Sequence, residues 1–451
     1  MSETKANLLL RNVRRLGDNG AIDPAPCDVR IEEGKIAAIG PELVGNGLPE
    51  LDLGGSTVVP GLFDLHVNLR EPGGEDAETI ASGSRAAAAG GFSAVAAMPS
   101  TPTPNDTRAV IDLIHERTRG TCGTTVHPVA ALTKGLDGKQ LTEMWELADT
   151  GAVGVSDDGH ATASSEVLRR GMEYARMCGL PVLVHCDDAD LRGRGVMHEG
   201  FVSTTLGLRG IPSSCEEITL ARNLSIAALT GCRVHVQHVS SEAGVEMIRR
   251  AKERGLDVSA EVTAHHLTFT DEALRDYDPR FKCNPPLREE SDRAALRRGV
   301  MDGTIDVIVS DHFPHTRVAT DVEFDRAPFG VAGLETVVSA SFAVLVEEGG
   351  WSLGSFVRAL SSRPREILGL PVPTLSVGEW ADLTVLDLSA RRTIAAETFE
   401  SMGRNCPFVG HTLPVAVRLT LSMGSVTFQE PGMPERGGTG TSAVPVGENQ
   451  R

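Results

Sequence analysis

The chain has 451 residues, 41% apolar and 23% charged, a globular composition with room for one large domain and a smaller one. Its formal net charge of −18 opposes nucleic acid and anionic membrane, and no Lys/Arg-rich block offsets it. No stretch reaches the ~18 uninterrupted apolar residues of a membrane span, and the N-terminus lacks the apolar core of a secretory signal, so a cytoplasmic protein is expected. The eight cysteines are scattered without a C-x-x-C pair, which argues against a disulfide framework and against a Cys-type zinc site.

In chain order, residues 7–11, 27–32 and 35–39 read as short strands, with Glu33-Gly34 as a hairpin turn. From residue 57 the texture becomes apolar strand, helix, apolar strand. Strands are expected at 57–65, 92–98, 125–132, 152–156, 181–185, 233–238, 257–262 and 306–310. Helices are expected at 77–90, 106–118, 141–149, 164–178, 215–229, 243–254, 291–301 and 334–348. Near-continuous apolar strands alternating with amphipathic helices indicate a parallel sheet covered by helices, so the fold class is α/β. Eight strand–helix units suit a (β/α)8 TIM-type barrel over residues 58–368. An open doubly wound sheet is the alternative, weakened by the lack of a G-x-G-x-x-G after the first strand. Strand texture returns at 381–388, 415–421 and 425–429, so 1–57 and 369–429 are expected to form one small β-sandwich from both chain ends. Residues 430–451, rich in Gly, Pro and polar groups, are expected to be a disordered tail.

The polar residues gather where a barrel keeps its active site, at the C-terminal strand ends. In the stretch V-V-P-G-L-F-D-L-H-V-N-L-R, alternation puts His66, Asn68 and Arg70 on one face. The second strand ends in Met98-Pro99-Ser100-Thr101, the fourth in Ser156-Asp157-Asp158-Gly159 and the fifth in His185-Cys186-Asp187-Asp188. The sixth ends in His238-Val239-Ser240-Ser241. The seventh leads to His265-His266 and Asn284-Pro285-Pro286, and the eighth ends in Ser310-Asp311-His312-Phe313-Pro314-His315. Imidazoles and carboxylates together suit zinc or a similar divalent ion. Two ions about 3.5–4 Å apart, sharing a carboxylate, are one use of such a set. The equipment is that of a metal-assisted hydrolase acting on an amide.

The text P-G-L-F-D-L-H-V-N-L-R-E-P-G, G-S-R-A-A-A-A-G-G-F, A-A-M-P-S-T, S-D-D-G, H-C-D-D, H-V-S-S, N-P-P-L-R, S-D-H-F-P-H, A-P-F-G-V-A-G-L-E-T and A-D-L-T-V-L-D resembles dihydroorotases of the amidohydrolase superfamily, of the bacterial kind with Asp in place of a carboxylated Lys. The resemblance implies a barrel with a small β domain. It implies reversible interconversion of N-carbamoyl-L-aspartate and L-dihydroorotate in pyrimidine synthesis. It implies one or two Zn2+ per chain, held by His66, Asn68, Asp158, His185, His238 and Asp311. Asp158 bridges, with Asp157 its rival, and Asp311 also shuttles the proton. Arg70, Ser100, Asn284, His315 and the Phe329-Gly330 backbone are implied to hold substrate. A homodimer, associated with aspartate transcarbamoylase, is implied as the assembly. Asp157, His160, His265, His266 and His312 are expected to be structural partners, and His115, His127, His198, His235 and His411 to take no part.

Two positions depart from the family pattern. Asn68 stands where H-x-H is usual, and Ser100 where M-P-N-T is usual. A neutral amide is a weaker zinc ligand than imidazole. Two other readings compete with the dihydroorotase: a hydantoinase- or allantoinase-type amidohydrolase, and a non-catalytic dihydroorotase-like subunit supporting aspartate transcarbamoylase.

Overall fold

The computed structural model describes residues 5–436 apart from 18, 120, 122 and 434. The chain opens with β1 (Leu8–Arg15), β2 (Cys27–Glu32), β3 (Lys35–Gly40), β4 (Glu50–Asp52) and β5 (Thr57–Pro60). The parallel run follows: β6 (Leu62–Val67), β7 (Phe92–Ala97), β8 (Thr125–Pro128), β9 (Ala130–Ala131), β10 (Val155–Ser156) and β11 (Val182–Val184). A short side pair, β12 (Met197–His198) and β13 (Gly210–Ile211), precedes β14 (Val234–Val236), β15 (Val258–Thr263) and β16 (Val307–Val309). The chain ends in β17 (Leu383–Thr393), β18 (Thr412–Ser422), β19 (Ser425–Gln429) and β20 (Glu435–Arg436).

Both chain ends build one sheet, ordered β19-β18-β17-β5-β1-β2-β3, with β4 beside β1. Leu383–Leu386 of β17 pairs antiparallel with Thr57–Pro60 of β5, which brings the C-terminal strands onto the N-terminal ones. The expected tail lies outside the described residues beyond 436, but its first part is ordered enough for β20 to pair antiparallel with β4.

β6, β7 and β8 are parallel neighbours, and so are β9, β10, β11, β14, β15 and β16. One residue, Val129, separates β8 from β9. At the other edge His312, just after β16, bridges in parallel to Val67 of β6. The parallel run therefore meets itself. Its strands carry side chains of both faces into apolar surroundings, as a helix-covered parallel sheet requires. Phe63, Leu65, Ala96, Leu183 and Val309 pack together on one side. Leu62, Val95, Val155, Val182 and Val234 pack with the helices on the other. The helix Ser362–Leu368 closes the end of this interior remote from the polar strand ends. Its buried Arg365 lies 5.1 Å over the Phe63 ring and donates to Gly61 O and Ser93 Oγ.

Differences from the expected elements are local. Leu141 is held in a bridge to Thr133, so the helix expected from 141 begins at Met144. The helix expected over 334–348 is Val337–Phe342 continued by a wider π-type turn, Ala343–Glu347. Short polar-faced helices at Ala189–Arg192 and Phe201–Leu206 fill the long connection after β11.

Candidate active site

The ends of β6, β10, β11, β14 and β16 deliver their polar residues to one cavity of about 330 Å³, lined by Asn68, Ser100, Asp158, His185, His238 and Asp311, with Asn284, Phe313, Phe329 and Gly330 on its walls. His66 is buried behind two of these lining carboxylates. Its Nε2 is 3.0 Å from Asp158 Oδ1 and 3.5 Å from Asp311 Oδ1. His185 Nδ1 and His238 Nε2 are 2.8 Å apart. Asn284 Nδ2 lies 3.5 Å from His185 Nε2. Asn68 is buried at the cavity wall, and neither polar atom of its amide has a partner.

The backbone is strained at these points. Arg70, His238 and Asp311 hold φ of 63°, 30° and 47°, a region that non-glycine residues enter at a cost of order 1–3 kcal/mol each and that gathers at functional sites. Each follows the end of its parallel strand by two or three residues, where the chain turns away from the sheet.

Electrostatics divide the carboxylates. Burial pushes Asp158 up, but His66 and the Ser100 hydroxyl hold it down to about 2. Burial pushes Asp311 up to about 7, beyond what His66 can reverse, with Asp158 and Glu261 adding repulsion. Burial pulls His66 down, yet Glu261, Asp311 and Asp158 carry it well above an ordinary histidine. His238 is pushed well below by burial and by the neighbouring imidazoles of His185 and His66. The two cavity carboxyls are thus set apart, Asp158 downward by His66 and Ser100 and Asp311 upward by burial and like charge.

The aspartate pair separates cleanly. Asp157 turns away and accepts from Thr133 N–H, Thr133 Oγ1 and Thr162 Oγ1. Asp158 faces the cavity. Ser100 Oγ lies 2.7 Å from Asp158 Oδ2 and 2.8 Å from its carbonyl, so this hydroxyl braces Asp158 as well as lining the cavity. Arg70 stacks its guanidinium 4.3 Å over the Phe313 ring and leaves its Nε unpartnered. His315 donates from Nε2 to Phe329 O at 2.7 Å. The Gly330 N–H is committed to Lys282 O and its carbonyl accepts from Asn405 Nδ2 at 2.9 Å.

Sequence reasoning missed several residues here. Glu261, fully buried in β15, lies 2.5 Å from His66 Nδ1 and 2.9 Å from His235 Nε2, and accepts the His238 N–H. His235 Nδ1 in turn meets Ser259 Oγ at 2.8 Å. His235, expected to take no part, thus ends a buried chain that starts at His66. A lone charge inside the apolar strand V-S-A-E-V-T was the available signal. Gln237 Nε2 lies 3.5 Å from Asp158 Oδ1. Arg192 reaches the cavity and holds Asp187 at 2.6 Å, which sits 3.8 Å from His185 Nε2.

Several of the other histidines have structural partners, while His265 is buried with its Nε2 unpartnered. His312 Nε2 is 3.4 Å from Glu78, and His160 Nδ1 is 3.2 Å from Asp158 O. His265, His266 and Cys283 bring ligand atoms within 4.8 Å of one another, but His266 already engages Thr263 Oγ1 and Pro285 O with its two nitrogens.

Residues 55–244 match a family described as dihydro-orotase-like. A dihydroorotase of Pelotomaculum thermopropionicum is 46% identical over 407 residues, 89% of this chain and 94% of the relative. The chain belongs to the dihydroorotase family. A dihydroorotase of a Geobacter species is 44% identical, covering 94% of this chain and 99% of its own length. Among solved structures, an L-hydantoinase (dihydropyrimidinase) from Arthrobacter aurescens superposes with a TM-score of 0.83 at 25% identity, over 96% of this chain and 99% of that one. A dihydropyrimidinase from Brevibacillus agri gives 0.81 at 24% identity and shares the fold. Family membership thus rests on full-length identity to dihydroorotases, while the fold is shared more widely. Among the described residues no helix is long and apolar enough to cross a membrane.

Proposed function

We propose that the chain is a metal-dependent dihydroorotase that interconverts N-carbamoyl-L-aspartate and L-dihydroorotate. The observation that carries this is the 46% identity to a dihydroorotase over 94% of that relative. The convergence of Asp158, His185, His238 and Asp311 on one cavity, with His66 against both carboxylates, supports it. The parallel strand run that meets itself at Val67 and His312 supports a (β/α)8 barrel over 58–368, with 1–57 and 369–429 as the small β domain.

The donor set fits a zinc-like divalent cation. Two imidazole nitrogens face each other, two carboxylates flank a third, and the Asn68 amide is buried without a partner. His66, Asp158, His185, His238 and Asp311 would hold it, with Asn68 as a weaker oxygen donor. A cation held there would supply an activated water at neutral pH and a polarised ring carbonyl. In hydrolysis Asp311 takes the proton from the attacking water and delivers it to the leaving ring nitrogen. In cyclisation it takes that proton back from the ureido nitrogen and returns it to the carboxyl oxygen that leaves as water. Arg70 holds the substrate carboxylate through the bidentate fit of a planar guanidinium, with Asn284 and His315 beside it. The Phe329-Gly330 backbone walls the pyrimidine edge, held there by Lys282, Asn405 and His315. Ser100 keeps Asp158 in place.

Purified protein should carry at least one zinc-class ion per chain by elemental analysis and hydrolyse L-dihydroorotate, and Asn68→His should raise the metal content toward two. Hydantoin turnover without dihydroorotate turnover would replace this reading with the hydantoinase one. Absence of both metal and turnover would leave the non-catalytic subunit. The family resemblance extends the proposal to a homodimer that associates with aspartate transcarbamoylase, which co-elution of the two purified proteins tests.

A further inference from the structure

The connection between β17 and β18 does not stay with the small β sheet. Residues 400–405 run back over the polar strand ends. Two carboxylates, the buried Glu78 and the half-buried Glu335, pin them. Glu335 accepts the N–H groups of Glu400 and Ser401 at 3.1 and 3.0 Å. Glu78 accepts from Ser401 Oγ at 2.5 Å and from Met402 N–H at 3.3 Å. Gly403 lies so close to the strand-end loop that a Cβ there would meet Pro314 Cβ at 2.5 Å.

The strap ends in Asn405, which is 2% exposed. Its Oδ1 accepts the His315 N–H at 3.1 Å. Its Nδ2 donates to Phe313 O at 3.1 Å and to Gly330 O at 2.9 Å. Its carbonyl accepts the Ala332 N–H at 3.0 Å. One amide therefore joins two separate loops, and those loops carry Phe313, under the Arg70 guanidinium, and His315 and Gly330. Lys282 holds the same wall from the other side. Its carbonyl accepts the Gly330 N–H, and its ammonium donates to Phe324 O and Asp325 O.

We propose that Asn405 is a positioning residue for substrate binding, fixing the Phe313, His315 and Gly330 wall before substrate arrives. Neither Asn405 nor its strap touches the reacting atoms. It acts by pre-organisation, which lowers the ordering cost of binding and leaves the proton-transfer step to Asp311. The proposal rests on the dihydroorotase reading for what is bound there.

The test compares Asn405→Ala and Asn405→Asp in the full-length, metal-loaded protein. Alanine removes all three side-chain contacts. Aspartate keeps the acceptor for His315 N–H but sets carboxylate oxygen against the two carbonyls. Both variants should raise KM for dihydroorotate roughly 10–100-fold while kcat stays within about threefold, since a loosened wall weakens binding more than chemistry. Residue-resolved hydrogen exchange of the free proteins should show the Gly330 and Val331 amides losing protection in both variants. The His315 amide should lose it only in the alanine variant. Unchanged KM in folded aspartate protein, a loss confined to kcat, or unchanged exchange at these amides overturns the proposal. If the wild type fails to turn over dihydroorotate, the functional reading falls and the exchange pattern alone still decides whether Asn405 is the clamp.

Discussion

At the residue scale, the side chains that touch the cavity were legible because each stands at the end of an apolar strand, where a polar residue has no reason to be unless it faces an opening. His66, Asp158, His185, His238 and Asp311 all follow that rule, and the structure gathers them. Glu261 showed only as a lone charge in an apolar strand and His235 not at all, because both lie within their strands and Glu261 meets His66 from another strand. His66 Nδ1 meets Glu261 only across 195 residues of sequence, a distance no local pattern records. That buried chain should matter to any cation held by His66, because the group on the far nitrogen of a ligating imidazole fixes its tautomer and its orientation. Glu261 also accepts the N–H of the strained His238, so one carboxylate orients two candidate ligands. Glu261→Gln should weaken zinc binding about 10–100-fold, read by competition with a chromophoric chelator at fixed pH. An unchanged affinity in a folded variant would mean that the His66–Glu261 contact does not orient the imidazole.

At the scale of elements, strand–helix alternation was readable from β6 to β16 because burial on both faces leaves unbroken apolar strands between amphipathic helices. Connections were less readable. Nothing in S-M-G-R-N-C-P-F announces a strap, since its hold on the strand ends depends on Glu78 and Glu335, more than 60 residues away. The loop it clamps has its own constraint at Gly330. With φ of 143°, an added Cβ would meet Phe313 O at 2.7 Å and His315 Nε2 at 2.8 Å. Only glycine lets this backbone pass so close to the strand-end loop. Gly330→Ala should therefore cost about 1–3 kcal/mol in urea unfolding and raise KM for dihydroorotate by displacing His315. A variant with wild-type stability and KM would show that the wall relaxes without consequence.

At the scale of the whole molecule, the sheet made by both chain ends is stitched to the parallel run by hydroxyls. Thr384 Oγ1 donates to Gly91 O, Thr420 Oγ1 to Ala88 O and Ser422 Oγ to Ser93 O. All three hydroxyl residues are buried, and the three carbonyls belong to the last turn of the helix Ile80–Ala89, to the turn after it and to the start of β7. Leu413 and Val415 of β18 add apolar contact to the same cluster that packs the helices on the strands. Polar groups buried at such a junction are costly to leave unpaired, so separating the two units would strand three carbonyls and expose that apolar surface together. The chain should consequently unfold in urea as one cooperative transition, with tryptophan fluorescence and far-UV circular dichroism tracing the same curve. Thr420→Val, which keeps the shape and removes one hydroxyl, should lower the midpoint by about 1–3 kcal/mol of stability without splitting the transition. Two resolved transitions in the wild type would instead show that the sheet from the chain ends folds independently of the strands that carry the site.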